Sequence, residues 1–194
     1  MQYLTIAPYA LNVQNRFVLC TNVTKIYISY YFCFVKYFTP NQMNFSELVD
    51  NLFHFIANFP ANQLFSQDVG SVDTILANRI KIAVGIDTEN FVVSLDNFAI
   101  IHAINQHSKP NEIQRGQRPL NTQDFYLLHK IIFEADEIIN GGKRKGKECI
   151  KFVKTIENNY AETYTAVLEV RVITSSKKAL YKKNRLALQT FYVK

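Results

Sequence analysis

The chain has 194 residues, 48% of them hydrophobic, enough for one substantial domain with an extension. With 15 Phe, 11 Tyr, 6 Gly and 5 Pro, its composition excludes a disordered or low-complexity chain. The net charge of +6 is unevenly placed: residues 1–97 carry 5 Lys+Arg against 7 Asp+Glu, and residues 98–194 carry 17 against 9. Attraction to polyanions is therefore expected of the second half alone.

Residues 1–42 are rich in Tyr, Phe and β-branched side chains with little periodicity, and Phe17–Cys20 and Ile26–Phe38 read as strands. Only Arg16 is charged among the first 16 residues, so no signal-peptide pattern is expected there. The 13-residue run Ile26–Phe38 falls short of the ~20 residues that a membrane-spanning helix needs, and no membrane partner is expected. Regular patterning begins at Met43, which leaves open whether residues 1–42 are an upstream extension. The three cysteines, Cys20, Cys33 and Cys149, are odd in number and lack metal-ligand spacing. This argues against a disulfide framework or a zinc site and fits a reducing, cytoplasmic compartment.

Ser46 to Asn58 reads as an amphipathic helix stopped by Pro60, and Val72 to Val84 as a second, with Ser71 as cap and Gly85 as terminator. Phe91–Leu95 reads as a short strand. A third helix runs from a cap at Asp96 or Asn97 to about His107, with Phe98, Ile101 and Ile104 as its apolar stripe and Ile100 beside it. Residues 108–119 form a polar, basic loop. Asn121 or Thr122 caps a fourth helix through Phe133, with Leu127, Leu128, Ile131 and Ile132 as its core face. Ile138 and Ile139 start a strand that ends at Asn140-Gly141-Gly142. Cys149–Ile156, Tyr164–Ile173 and Leu186–Val193 complete the set, joined by basic connectors. The expected fold class is α+β: N-terminal helices followed by a small antiparallel sheet of about four strands. The expected division is an extension at 1–42, a helical segment at 43–89 and a compact basic domain at 90–194.

The chain has no phosphate-binding glycine loop and no dinucleotide fingerprint, and its carboxylates are scattered singly. Neither cofactor nor metal is expected. His107 stands where the third helix ends, a position that favours imidazolium and suits acid–base chemistry on RNA. His102 is flanked by Ile100, Ile101 and Ile104, a setting more often that of a hydrogen-bonded core histidine. Arg115-Gly116-Gln117-Arg118 offers phosphate contacts on a tight turn. Lys154 shares a face with Ile150, Phe152 and Ile156, which is costly unless its ammonium finds solvent or a partner. Thr190 and Tyr192 are expected on the face of Leu186 and Leu188, with hydroxyls for a phosphate.

In order, these are His-x4-His at 102–107, Arg-Gly-Gln at 115–117, Ala-Asp-Glu-Ile-Ile at 135–139, Cys-Ile-Lys-Phe-Val-Lys at 149–154 and Leu-Gln-Thr-Phe-Tyr at 188–192. The set resembles the phage-borne nucleases of the Barnase–EndoU–Colicin–RelE group over about residues 90–194. The resemblance implies a metal-independent endoribonuclease of toxin or phage-effector type, acting on RNA such as tRNA and opposed by a cognate immunity protein. It implies 2′-hydroxyl attack giving a cyclic phosphate, with His107, His102, Arg115, Lys154 and Thr190 at the catalytic site. Gln117, Arg118, Lys143, Arg144, Lys151 and Arg171 would hold the RNA, and Tyr192 or Tyr181 would stack a base. One departure stands out: Gln106 occupies the position before the second histidine, where the family carries a basic residue. The alternative is a non-catalytic RNA-binding or phage interaction module with the same fold.

Overall fold

The computed structural model describes residues 44–60, 62–157, 161–173 and 183–194. The strands expected at Phe17–Cys20 and Ile26–Phe38, and Tyr181 with most of the last basic connector, lie outside the described residues. Residues 40–194 form a compact unit, to which every described element belongs.

The unit opens with helix α1, Phe45–Asn58. Asn44 and Glu47 cap it reciprocally, each side chain taking the other's backbone N–H. Leu48, Val49, Leu52 and Phe55 form its buried stripe. Strand β1, Ser66–Ser71, comes next and has no counterpart among the elements expected from the sequence. Its residues, Ser-Gln-Asp-Val-Gly-Ser, lack the apolar alternation that marks a strand. Helix α2, Thr74–Val84, therefore starts later than expected, capped by Asp73 rather than Ser71, and ends at Gly85 with φ of 75°. Strand β2, Val92–Asp96, leads directly into helix α3, Asn97–His107, whose cap is Asp96.

The expected apolar stripe of α3 is corrected. Ala99, Ile100 and Ala103 are buried, whereas Phe98 is 42% exposed. The two alanines allow the helix to approach strand β6 (Arg185–Val193) closely. A 3-10 turn at Pro110–Arg115 occupies the expected loop. The fourth helix is split into a 3-10 segment, Thr122–Leu127, capped by Asn121, and α4, Leu128–Phe133. Strands β3 (Glu137–Arg144), β4 (Lys147–Glu157) and β5 (Ala161–Arg171) complete the unit. β3 does not stop at its double glycine. Gly141 and Gly142 face one partner residue in a bulge: Gly142 takes φ of 73°, and a Cβ on Gly141 would strike the Cys149 backbone at 2.8 Å.

The sheet has six strands in the order β1-β2-β6-β5-β4-β3, not the four expected, and β2 runs parallel to β6 while every other neighbour is antiparallel. Beyond those four lie β1, unmarked by apolar alternation, and β2, the short strand expected at Phe91–Leu95, both threaded between the helices. Cross-strand rows fix the two faces. Ile150, Leu168 and Leu188 share a row, as do Phe152, Ala166 and Phe191; all six are buried. This core face packs on α1, the split helix and α4. Phe53, Phe125 and Phe191 meet edge-on with centroids 5.5 Å apart at each step. Full burial of Phe191 contributes about 1.5–3 kcal/mol.

Strand β6 also carries a bulge. Val167 opposes Thr190 and Leu168 opposes Leu188, so Gln189 is the extra residue. The alternation of side chains therefore inverts at Gln189. Thr190 and Tyr192 consequently lie on the face opposite Leu186 and Leu188, not beside them as the unbroken alternation predicts.

Candidate active site

The bulge gives the second face of the sheet its chemistry. Thr190 shares a row there with Val167 and Lys151; Tyr192 shares one with Thr165 and Val153. β2 pairs with β6 only as far as Ala187, and beyond that point α3 lies along β6 instead. The C-terminal end of α3 thereby delivers His107 to Thr190.

The His107 ring is held on both sides. Nδ1 lies 3.1 Å from Glu112 Oε2, and Nε2 lies 3.1 Å from Thr190 Oγ1. An ionised carboxylate only accepts, so Glu112 assigns the ring proton to Nδ1. Nε2 is left with its lone pair toward the Thr190 hydroxyl. The Tyr192 ring lies 5.6 Å from the imidazole centroid, tilted by 40°. Glu112 is 3% exposed, and its second oxygen accepts from Arg115 Nη1 at 2.9 Å. The backbone locks the loop that carries these groups: Leu120 N–H donates to the His107 carbonyl at 2.7 Å, and Gln117 N–H to the Glu112 carbonyl at 3.0 Å. Gly116, at φ of 67°, caps the 3-10 turn by donating to Glu112 and Ile113. Glu112 is not among the residues that the sequence singles out. Its signal there is a lone carboxylate inside a basic loop, five residues after a candidate histidine.

The other expected site residues divide. His102 does not orient His107; Glu112 does that. His102 lines a neighbouring pocket with Arg144 and Arg171, and burial, then the charges of Arg144 and His107, holds its imidazole below the ordinary value of 6.5. Arg115 reaches the site through Glu112. Lys151 lies on the site face, across Val167 from Thr190, about two strand spacings (~10 Å) away along the sheet. Gln117 immediately precedes Arg118, which bridges Val193 with its own side chain toward the core. The Gln117 Oε1 atom is buried without a hydrogen-bond partner. Lys143 is exposed and pairs with Glu148 across the β3–β4 hairpin at 3.0 Å.

Two residues are corrected. Lys154 shares a row with Tyr164, on the core side of the sheet from Thr190, and its ammonium meets Asp136 Oδ1 at 2.7 Å. That ion pair relieves the cost of a lysine on an apolar face. Arg118 is saturated: it donates to both oxygens of Asp124, to both oxygens of Glu162, to the Tyr164 hydroxyl and to the Pro119 carbonyl. The Asp124 hydrogen bond, opposed by burial and reinforced by Glu162, pushes its basicity up. Arg118 ties the loop to the core and has no donor left for RNA.

Around the site the second face alternates in charge. Glu169 accepts from Lys147 Nζ and from Arg171 Nε, each at 2.8 Å. Burial pushes the Glu169 carboxyl up, but these two cations outweigh it and hold it below the ordinary value. Among the described residues, no three His, Cys, Asp or Glu side chains converge as metal ligands. No helix among them is long and apolar enough to cross a membrane.

Comparison with protein families returns the phage-Barnase-EndoU-ColicinE5/D-RelE like nuclease3 family, matched over residues 70–194. The chain belongs to this nuclease family. The matched span runs from Gly70 in β1 to the last residue, so it holds all six strands in whole or in part, as well as His107, Glu112 and Thr190. No curated protein and no solved structure matches the chain.

Proposed function

We propose that this nuclease domain is a metal-independent endoribonuclease of toxin or phage-effector type, cleaving RNA such as tRNA by attack of its own 2′-hydroxyl. The observation that carries the reading is the His107 ring set between Glu112 and a hydroxyl-bearing strand. Nε2 is the free base, and a substrate hydroxyl takes the place that the Thr190 hydroxyl holds beside it. His107 accepts the 2′-hydroxyl proton as the new bond from O2′ to phosphorus forms. The bond to the 5′-oxygen breaks, and that oxygen collects a proton from water. The products are a 2′,3′-cyclic phosphate and a 5′-hydroxyl end. The Glu112 carboxylate fixes the tautomer and stabilises the imidazolium as it forms. Thr190 turns its hydroxyl to a phosphate oxygen. Lys151 and Arg144 add positive charge without a carboxylate partner among the described ion pairs.

The test is incubation of the purified chain with total tRNA in EDTA, followed by end-group analysis. Cyclic phosphate and 5′-hydroxyl ends are expected, and His107→Ala should lower the rate by about 10²–10⁴. Salt-sensitive RNA binding without fragments would instead assign the fold to a binding module. Fragments that require magnesium would assign it to a metal-dependent reaction.

A further inference from the structure

The second face holds a feature that proton transfer at His107 does not use. A pocket of about 370 Å³ opens beside the β6 bulge, lined by Asp96, Phe98, His102, Arg144, Arg171 and Gln189, among others. Gln189 immediately precedes Thr190, so the pocket adjoins the His107 site. Its volume lies in the range of roughly 300–1,000 Å³ typical of small-ligand pockets.

The groups in it are of three kinds. Phe98, in the first turn of α3, is an exposed aromatic in a helix that buries Ala99, Ile100 and Ala103. Asp96 supplies an acceptor: its Oδ1 takes the Ala99 N–H at 2.7 Å, while its Oδ2 lies 3.8 Å from Arg171 Nη1. Gln189 has a loosely held amide, 3.4 Å from the carbonyl of the preceding residue. Arg144 and Arg171 supply positive charge. A site for a bare anion would consist of the cations alone, and the Asp96 carboxylate would repel its ligand. An aromatic face, an acceptor for N–H groups and two guanidiniums together match the three parts of a nucleotide: base face, base edge and phosphate.

We propose that this pocket holds one unpaired nucleotide next to the cleaved bond, its base stacked on Phe98, its N–H edge toward Asp96 and Gln189 and its phosphate drawn by Arg144 and Arg171. The proposal rests on RNA being the substrate. It makes the domain a reader of the nucleotide beside the scissile phosphate and directs it to single-stranded or looped RNA, where a base can leave its stack.

The test is titration of the full chain with each of the four nucleoside 3′-monophosphates, with inorganic phosphate as the reference, followed by heteronuclear NMR and calorimetry. At least one nucleotide should bind about tenfold or more tightly than phosphate, and should shift the His102 and Phe98 resonances. Phe98→Ala should weaken that nucleotide roughly 5- to 100-fold and leave phosphate binding unchanged. Asp96→Asn, which keeps a side chain able to cap α3, should change the ranking of the four nucleotides. Nucleotides that bind no tighter than phosphate, or a Phe98→Ala protein that loses nothing, would overturn the subsite. The two readings fail separately. Cleavage in EDTA without base-dependent binding removes the subsite and keeps the nuclease mechanism; base-dependent binding without cleavage does the reverse.

Discussion

Arg118 and His107 anchor two charged clusters on opposite faces of strand β6, joined by the same loop, and they differ in how completely their partners use them. The Arg118 guanidinium has every donor engaged by Asp124, Glu162, Tyr164 and the Pro119 carbonyl. His107 has one nitrogen fixed by Glu112 and the other beside a lone hydroxyl. Similar surroundings therefore leave different capacities: Arg118 is saturated as a clamp, and His107 keeps one ring nitrogen whose single partner, the Thr190 hydroxyl, can be exchanged for another. The difference is visible in electrostatics as well. The Arg118 hydrogen bond holds the Glu162 carboxyl below its ordinary value of 4.5, although burial opposes it.

The sharpest way to break the comparison is to remove each centre in turn. His107→Ala should cost about 10²–10⁴ in cleavage, while the thermal midpoint stays near that of the parent. Arg118→Ala should do the opposite. Removing one partner of a buried ion pair typically costs about 3–5 kcal/mol, and the one-third exposure of Arg118 reduces this to about 2–3 kcal/mol. Denaturant unfolding should show that loss, with cleavage per folded molecule largely retained. The same variant should alter the acid limb. Glu162 is depressed in the folded chain, so its contribution is full above the unfolded value near 4.5 and is lost as pH falls through the lower folded value. In Arg118→Ala that part of the stability loss on acidification should flatten. An Arg118→Ala protein of normal stability that no longer cuts would place Arg118 at the substrate after all.

Much of this arrangement is legible in the sequence, and the failures share a cause. The helices at 45–58, 74–84 and 97–107 are legible as elements, although the cap of the second and the buried stripe of the third are not, and β4, β5 and β6 are legible by their alternation. β1 is not, because its pairing with β2 is dictated from outside a polar hexapeptide. Thr190 and Tyr192 fall on the unexpected face because a bulge is one extra residue, and no local pattern in Leu-Gln-Thr-Phe-Tyr distinguishes it from regular alternation. That single residue moves both hydroxyls across the sheet. Lys154 and Arg118 read as site cations because a cation shows in the sequence while its pairing does not: Asp136 lies 18 residues from Lys154, and Arg118 is shared between Asp124, six residues on, and Glu162, 44 residues on. Glu112 escapes for the converse reason: its partner His107 is near in sequence, but only the 3-10 turn at Pro110–Arg115 folds it back onto the ring.

Within the His107 cluster, Glu112→Gln tests orientation apart from charge supply. An amide can satisfy Nδ1 only by presenting its oxygen, and it carries no charge for the imidazolium. A loss of about 10- to 100-fold in cleavage is expected, confined to kcat and accompanied by a changed pH profile, with RNA affinity unaffected. A loss expressed in KM alone would mean that Glu112 shapes the binding surface rather than the base.

Arg115 should give the smallest effect, and it separates the family's expectation from the geometry. If Arg115 touches the phosphate, its removal withdraws charge from the transition state, and a loss of roughly 10²–10³ is the usual scale for one such donor. In the structure its guanidinium meets the outer oxygen of Glu112, and the side chain is 68% exposed. Exposed pairs of this kind are worth about 0–1 kcal/mol, so Arg115→Ala should slow cleavage by no more than about fivefold. The effect should also shrink as salt rises, because an exposed pair is screened and the buried Glu112–His107 contact is not. A hundredfold loss that persists at high salt would move Arg115 from the rim of the dyad to the phosphate itself, and would make the loop, rather than the strand, the main source of positive charge at the cleaved bond.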